Sequence, residues 1–192
     1  MYSAKEYSVG FVLLLCTALS SWLVLNTSPV TTTPVDQTNY PESIMTNAII
    51  TRMNSTSGLP QDQLQTPLLV HYTTGDLTKM TQPRFVFMQE AGEPWHLSAD
   101  QGQANNGVDL VKLSGHVALT QAKSADNPPI SITTSAVTIY PKQQFAETDQ
   151  PIVAQQPDKM IQAVGMQTHF KTGTVELLSH VQGKYQHVEG AE

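Results

Sequence analysis

The chain has 192 residues, with 16 Asp and Glu against 10 Lys and Arg, a formal net charge of −6 and a single cysteine. One domain of ordinary size is the expected count. Beyond residue 25, 9 basic residues face 15 acidic ones with no basic run, which disfavours a broad nucleic-acid groove. Cys16 alone can form no intrachain disulfide, so the folded part must hold without covalent staples, in a periplasm or a cytoplasm alike.

Residues 1–8 form a short leading segment, and residues 9–25 run from Val9 to Leu25 without a charge or a proline. A helix of that length rises about 25 Å, near the lower limit for one bilayer crossing. Phe11, Leu15 and Trp22 are its candidate contact residues, with Tyr7 and Trp22 placed for the two interfaces. Lys5 and the amino terminus precede the span, and the next basic residue is Arg52, so the bias puts the N-terminus in the cytoplasm and residues 26–192 outside. A cleaved signal peptide ending near Ala18 and Ser20 is the alternative, opposed by the apolar run continuing through Trp22 to Leu25. A lipoprotein signal fits less well, because Leu15 stands before Cys16 where a small residue belongs.

Residues 26–42 carry Pro29, Pro34 and Pro41 among Thr, Ser and Asn, the composition of an extended tether. Residues 43–188 are the expected folded domain and 189–192 a short tail. No helix-length stretch with apolar residues at three, four and seven spacing stands out there. The chain's 22 threonines and 18 glutamines suit strands with wet faces.

Val111, Leu113, Gly115, Val117 and Leu119 share one parity and predict a strand with one apolar side. Trp95, Leu97 and Ala99 repeat the pattern before it, and Ile130, Ile132, Thr134, Ala136, Thr138 and Tyr140 after it, where Val137 and Ile139 make the opposite face partly apolar too. Turn signals fall between these runs at Thr74-Gly75-Asp76, Glu90 to Pro94, Asn105 to Gly107, Tyr140-Pro141-Lys142 and Lys171-Thr172-Gly173. Their spacing favours antiparallel hairpins in a sandwich or rolled sheet. Two internal echoes accompany them: Val111-Lys-Leu-Ser-Gly-His-Val117 with Val175-Glu-Leu-Leu-Ser-His-Val181, and Thr81-Gln82-Pro83 with Asp149-Gln150-Pro151. They suggest stacked strand-turn-strand units.

Signs of catalysis are weak. The six histidines His71, His96, His116, His169, His180 and His187 show no metal-ligand spacing, and no phosphate loop or nucleophile elbow occurs. Asp100, Asp109, Glu147 and Asp149 read as solvated loop or turn residues. No cofactor is expected. A rolled sheet instead offers an apolar interior, with Leu68, Val70, Phe85, Phe87, Trp95, Leu97, Val111, Leu113, Val117 and Val181 as its core or lining and Met80, Met88 and Met166 as its flexible filling.

In order and spacing, the chain resembles the LptC family of lipopolysaccharide export. The resemblance rests on Gly58, Leu64 and His71-Tyr72; Met80-Thr-Gln-Pro83; Trp95-His-Leu-Ser-Ala-Asp100; Leu113-Ser-Gly-His-Val117; Ile132-Thr-Thr134; and Val181-Gln-Gly-Lys-Tyr185. It implies an all-β chain, an open β-jellyroll preceded by one N-terminal transmembrane helix, that is not an enzyme. It implies a jellyroll interior that receives the acyl chains of lipopolysaccharide, with Ile49, Met80, Val175 and Tyr185 facing lipid; Phe85 joins them from the core pattern above. It further implies an inner-membrane anchor that meets LptF and LptG while LptB hydrolyses ATP, and a domain stacked between the jellyrolls of LptF, at the N-terminal edge, and LptA, at the C-terminal edge. Gln156 stands where a relative has glycine near the LptA-facing end. The remaining alternatives are an anchored adaptor that only joins proteins and an envelope hydrolase with a polar cleft.

Overall fold

The computed structural model describes residues 20–22, 40–89, 92–105, 107, 109–124 and 127–185. Residues 20–22 are helical, and the rest of the expected span lies outside the described residues. From Ser43 onward the chain is strands: β1 (Ser43–Met53), β2 (Pro60–Tyr72), β3 (Leu77–Thr81), β4 (Arg84–Phe87), β5 (Trp95–Ser98), β6 (Gln101–Asn105), β7 (Val111–Gln121), β8 (Ile130–Tyr140), β9 (Phe145–Gln156), β10 (Lys159–His169) and β11 (Thr174–Tyr185). The expected turn signals fall between strands, two of them as 3-10 turns at Thr74–Asp76 and Pro141–Gln143.

All eleven strands join one antiparallel sheet, bounded by β1 at one edge and β11 at the other. β3 and β4 are two halves of one arm, since β2 pairs Leu68 with Thr81 and Gln65 with Arg84 in a single register. β5 and β6 are likewise halves of one arm, with Ser98 opposite Arg84 and Gln101 opposite Thr81.

The interruptions align. Following the pairing from strand to strand, one line crosses the sheet through Asn47, Pro67, Gln82, Asp100, Gly115-His116, Ser135, Gln150-Pro151, Val164-Gly165 and Leu178-Ser179, with His180 next to it. Register shifts fall on it in β7, β8, β10 and β11. Five residues on or beside the line have left-handed backbone: Asn47 (φ 51°), Gln82 (46°), Gly115 (79°), Gly165 (80°) and His180 (50°). Each breaks the extended pleat, so the sheet creases instead of running flat.

At the crease the strands also lose their strict alternation. β2 buries Asp62, Leu64 and Thr66, then turns Pro67 and Leu68 away before burying Leu69. β7 buries Val111 and Leu113, exposes Ser114, Gly115 and His116, and resumes with Val117 and Leu119. The extra outward residues form the convex ridge of the bend. Two leaves result: the first contains β3 and β6, the second β4 and β5, and the longer strands contribute to both.

The inner faces of the two leaves share one core. Phe85, Phe87, Trp95 and Leu97 come from the second leaf, and Met80, Leu113, Ile139 and Met166 from the first. Along one seam the leaves are fastened together. The rings of Phe87 and Phe170 stack there, the Gln89 amide donates to the Phe170 carbonyl at 2.9 Å, and Arg52 donates to the Pro141 carbonyl.

The crease also revises the expected core. Leu69, and not Leu68 or Val70, is buried, because parity switches at Pro67. Val181 is exposed at the β11 edge. The mixed character of β8 has the same cause: Ile130, Ile132 and Thr134 face inward on one side of Ser135, Val137 and Ile139 on the other. Both sequence echoes lie on the crease, Gly115-His116 matching Ser179-His180 and Gln82-Pro83 matching Gln150-Pro151. The repeated feature is a bend shared by neighbouring strands of one sheet, not stacked repeats.

Candidate functional site

The apolar inner face is the most extensive feature that side chains build. In the first leaf a row of paired positions runs from Leu69 through Met80, Gly102, Leu113 and Val137 to Thr148, continuing to Met166 and Leu177. Gly102 is small for a reason: a methyl there would meet Leu113, Met80 and Pro83 side chains at 3.1–3.2 Å. The next row ends on β11 at Val175, opposite Thr168. In the second leaf Phe85 lies between Leu64 and Leu97.

Four of the five expected lipid-facing residues belong to this face, in different settings. Met80 and Phe85 are buried at 3% and 4% exposure. Val175 is half-buried against the core. Tyr185, paired with Lys159, shares the side of Gly183 at the end of β11 and is 81% exposed. Ile49 is elsewhere: it pairs with Gln65 on the outer face and is exposed, whereas its neighbour Ile50 pairs with Leu64 and extends the inner face. The parity break at Asn47 exchanges their roles. Phe11 and Leu15 lie outside the described residues, and Trp22, in the short helical stretch, is exposed. Among the described residues no helix is long and apolar enough to cross a membrane.

At both edges the inner face is left bare. Met45 and Ile50 on β1, and Val181 and Tyr185 on β11, are apolar, inward by register and exposed. Sequence reasoning missed Met45 and Ile50, although Met45 and Leu69 fall opposite each other once the pairing of β1 with β2 is known.

The outer face has the opposite character. A groove of about 1130 Å³ crosses it in the first leaf, bordered by Lys79, Gln103, Lys112, Glu147, Asp149 and Gln167. These polar groups share the groove's lining with Met80, Leu113, Val137 and Leu178.

Ionisable groups hold the scaffold. Burial pushes the Asp62 carboxyl up, opposed by the hydrogen bond and charge of Arg52. Asp100 accepts hydrogen bonds from the His116 ring at 2.7 Å and the His116 backbone N–H at 3.1 Å, which hold its carboxyl below the usual range. The Tyr140 hydroxyl donates to Glu147 at 2.9 Å, and that contact raises it. His71 lies 3.4 Å from Glu42 and 3.7 Å from Asp76, tying the start of β1 to the first 3-10 turn. Among the described residues no three His, Cys, Asp or Glu side chains are placed to hold a metal ion.

An antiparallel sheet creased on itself, greasy inside, wet outside and open at both edges, is an open β-jellyroll. Over residues 11–186 the chain matches the family described as LptC, lipopolysaccharide-assembly, LptC-related, and it belongs to that family. Its role is therefore that of a non-catalytic periplasmic and membrane relay in lipopolysaccharide transport, in company with other components of the same pathway. An inner-membrane, bitopic topology goes with this membership. Among solved structures it is similar to LptH, the LptA-homologous periplasmic component of the lipopolysaccharide transport device of Pseudomonas aeruginosa. That likeness is at 8% identity and a TM-score of 0.40, covering 75% of this chain and 94% of that one. No curated protein matches the chain.

Proposed function

We propose that the domain carries lipopolysaccharide with its acyl chains against the inner face. The observation behind this reading is that face itself, which crosses both leaves and stays uncovered at Met45, Ile50, Val181 and Tyr185. Each methylene moved from water onto it gains about 0.8 kcal/mol, enough for several acyl chains to compete with the core's own contacts. What must yield is the seam, an aromatic stack and a few hydrogen bonds.

In this reading residues 9–25 cross the inner membrane with the N-terminus in the cytoplasm, residues 26–42 form the periplasmic linker and residues 43–188 the jellyroll. The span, through Phe11, Leu15 and Trp22, meets LptF and LptG while LptB supplies ATP hydrolysis. Lipopolysaccharide reaches the jellyroll at the β1 edge and leaves for LptA at the β11 edge by way of Met80, Phe85, Val175 and Tyr185, with Ile50 in the inward place expected of Ile49. Bare strand edges join by adding strands, which makes such a bridge physically sound.

Photocrosslinkers at Met80 and Val175 should capture lipopolysaccharide in cells, and a crosslinker at the outer-face residue Gln103 should not. Equal yields at all three overturn the reading. Met80→Asp should impair loading by placing a charge among apolar chains. A protein that bound partner jellyrolls but no lipopolysaccharide would be an adaptor alone.

A further inference from the structure

Resting on that reading, we infer that the Trp95 indole N–H is the polar fixed point of the lipid site. It donates a hydrogen bond to the ester or amide carbonyl oxygen through which an acyl chain joins its sugar, and so sets how deep the chain enters.

The first ground is an orphaned donor. Trp95 opens β5 on the inner face and is 1% exposed. Among the described residues its Nε1 is the one buried side-chain nitrogen or oxygen without a hydrogen-bond partner. A buried indole N–H ordinarily finds an acceptor, because desolvating it unpaired costs stability. Its surroundings supply none. Phe87 and Gln121 are its pairs on β4 and β7. The Gln121 amide nitrogen donates to Gln89 Oε1 at 3.1 Å and to the Glu93 carbonyl at 2.8 Å, and the Gln89 amide nitrogen is engaged by the Phe170 carbonyl. The Phe170 ring, tilted by 56° with its centroid 6.4 Å away, offers only a weak π contact.

The second ground is where the donor lies. On one side of Trp95 is the polar seam of Gln89 and Gln121. On the other, the chain runs toward the crease past Leu97 to Ala99, with Phe87 and Phe85 beside it on β4, and all of these are buried. Four residues of strand span about 13 Å. The donor therefore stands at the boundary between wet seam and greasy interior. A lipid with its sugar outside and its chains inside changes there from polar linkage to hydrocarbon. A site with a buried donor also discriminates, since a chain bearing no acceptor at that depth leaves the N–H unpaired.

The test uses the full chain in dodecyl maltoside, a detergent whose chain carries no carbonyl, with the indole nitrogens isotopically labelled. The chain has two tryptophans, so Trp95 is read against Trp22 alone. Purified lipopolysaccharide should move the Trp95 indole proton to higher frequency by NMR, and dodecane, a chain without oxygen, should not. An equal shift with dodecane, or no shift with lipopolysaccharide, overturns the inference. Trp95→benzothienylalanine, which puts sulfur in place of the N–H in a side chain of nearly the same shape, should bind lipopolysaccharide about tenfold more weakly. Its denaturation midpoint should be unchanged or higher, because an unpaired donor has been removed. Equal affinity, or a lowered midpoint showing that the N–H has a partner within the fold, also overturns it. Capture of lipopolysaccharide at Met80 and Val175 then leaves the relay standing. If those positions capture none, the relay reading falls, and the inference with it.

Discussion

The rings of Phe87 and Phe170 lie nearly parallel, 8° from coplanar with centroids 4.0 Å apart, although one ends β4 in the second leaf and the other follows β10 in the first. Trp95 approaches the same Phe170 ring at 6.4 Å. Both phenylalanines are fully buried, so this stack is where the creased sheet closes upon itself.

Phe170→Ala should therefore cost about 3–5 kcal/mol, the range for truncating a buried phenylalanine. Chemical denaturation reads this as a lower midpoint with a similar slope. A loss below about 1 kcal/mol would mean that the stack does not hold the leaves together.

A second fastening is Arg52, whose Nε donates to Asp62 at 2.9 Å and whose guanidinium also reaches the Pro141 carbonyl. Burial raises the Asp62 carboxyl above its ordinary 3.8 despite Arg52. The folded chain then binds that proton more tightly than the unfolded one, so between 3.8 and the raised value its contribution to stability falls as pH rises. Arg52→Leu should raise the carboxyl further, destabilise the domain at neutral pH and widen the window in which acid restores stability. Asp62→Asn should flatten this dependence. Denaturation midpoints between pH 4 and 7 measure both, and parallel curves for the unaltered chain and Arg52→Leu would refute the assignment.

On the ridge of the crease, Gly115→Ala meets two obstacles at once. Its φ is +79°, and the added methyl would lie 2.4–2.8 Å from the Asp100 side chain. A cost of about 1–3 kcal/mol is expected from the strain, seen as a lower melting temperature. The carboxylate nearby gives a separate signal. Asp100 should titrate below 3.8 in carboxyl NMR, its favourable contribution present above 3.8 and lost as pH falls through the lower folded value. His116→Ala should move that midpoint up but leave it lowered, because the backbone N–H remains.

Adjacent leucines test the parity switch in β2. Leu69→Ala should cost about 2–5 kcal/mol and Leu68→Ala under about 1 kcal/mol, although a flat strand continuing inward from Leu64 would bury position 68. Thermal melts of the two variants decide it.

Much of the architecture was legible in the chain. The single-parity run from Val111 to Leu119, the alternation at Trp95 and the turn signals at Gly75, Pro141 and Gly173 all lie where the strands and turns are. The crease itself was not. Asn47, Gln82 and His180 take left-handed backbone without being glycine, and two consecutive outward residues, such as Pro67 and Leu68, reverse parity downstream. Strand pattern alone points Leu68 inward and the family resemblance points Ile49 there, whereas Leu69 and Ile50 hold the inward positions. The two echoes, Ser114-Gly-His116 with Leu178-Ser-His180 and Gln82-Pro83 with Gln150-Pro151, are the traces of the bend that the sequence carries. Phe170 offered no signal, because its burial depends on a contact between leaves that local pattern does not encode.

Asn47 and His180 sit on the two free edges of the sheet. A long, flat edge rich in Ile and Val templates fibrils, and β1 with Ile44, Ile49 and Ile50 has that composition. Cross-β stacking demands strands that stay straight past six or seven residues, and the kink in each border strand prevents that. The geometry that shapes the interior therefore also sets both open borders apart from the straight strands that cross-β stacking requires.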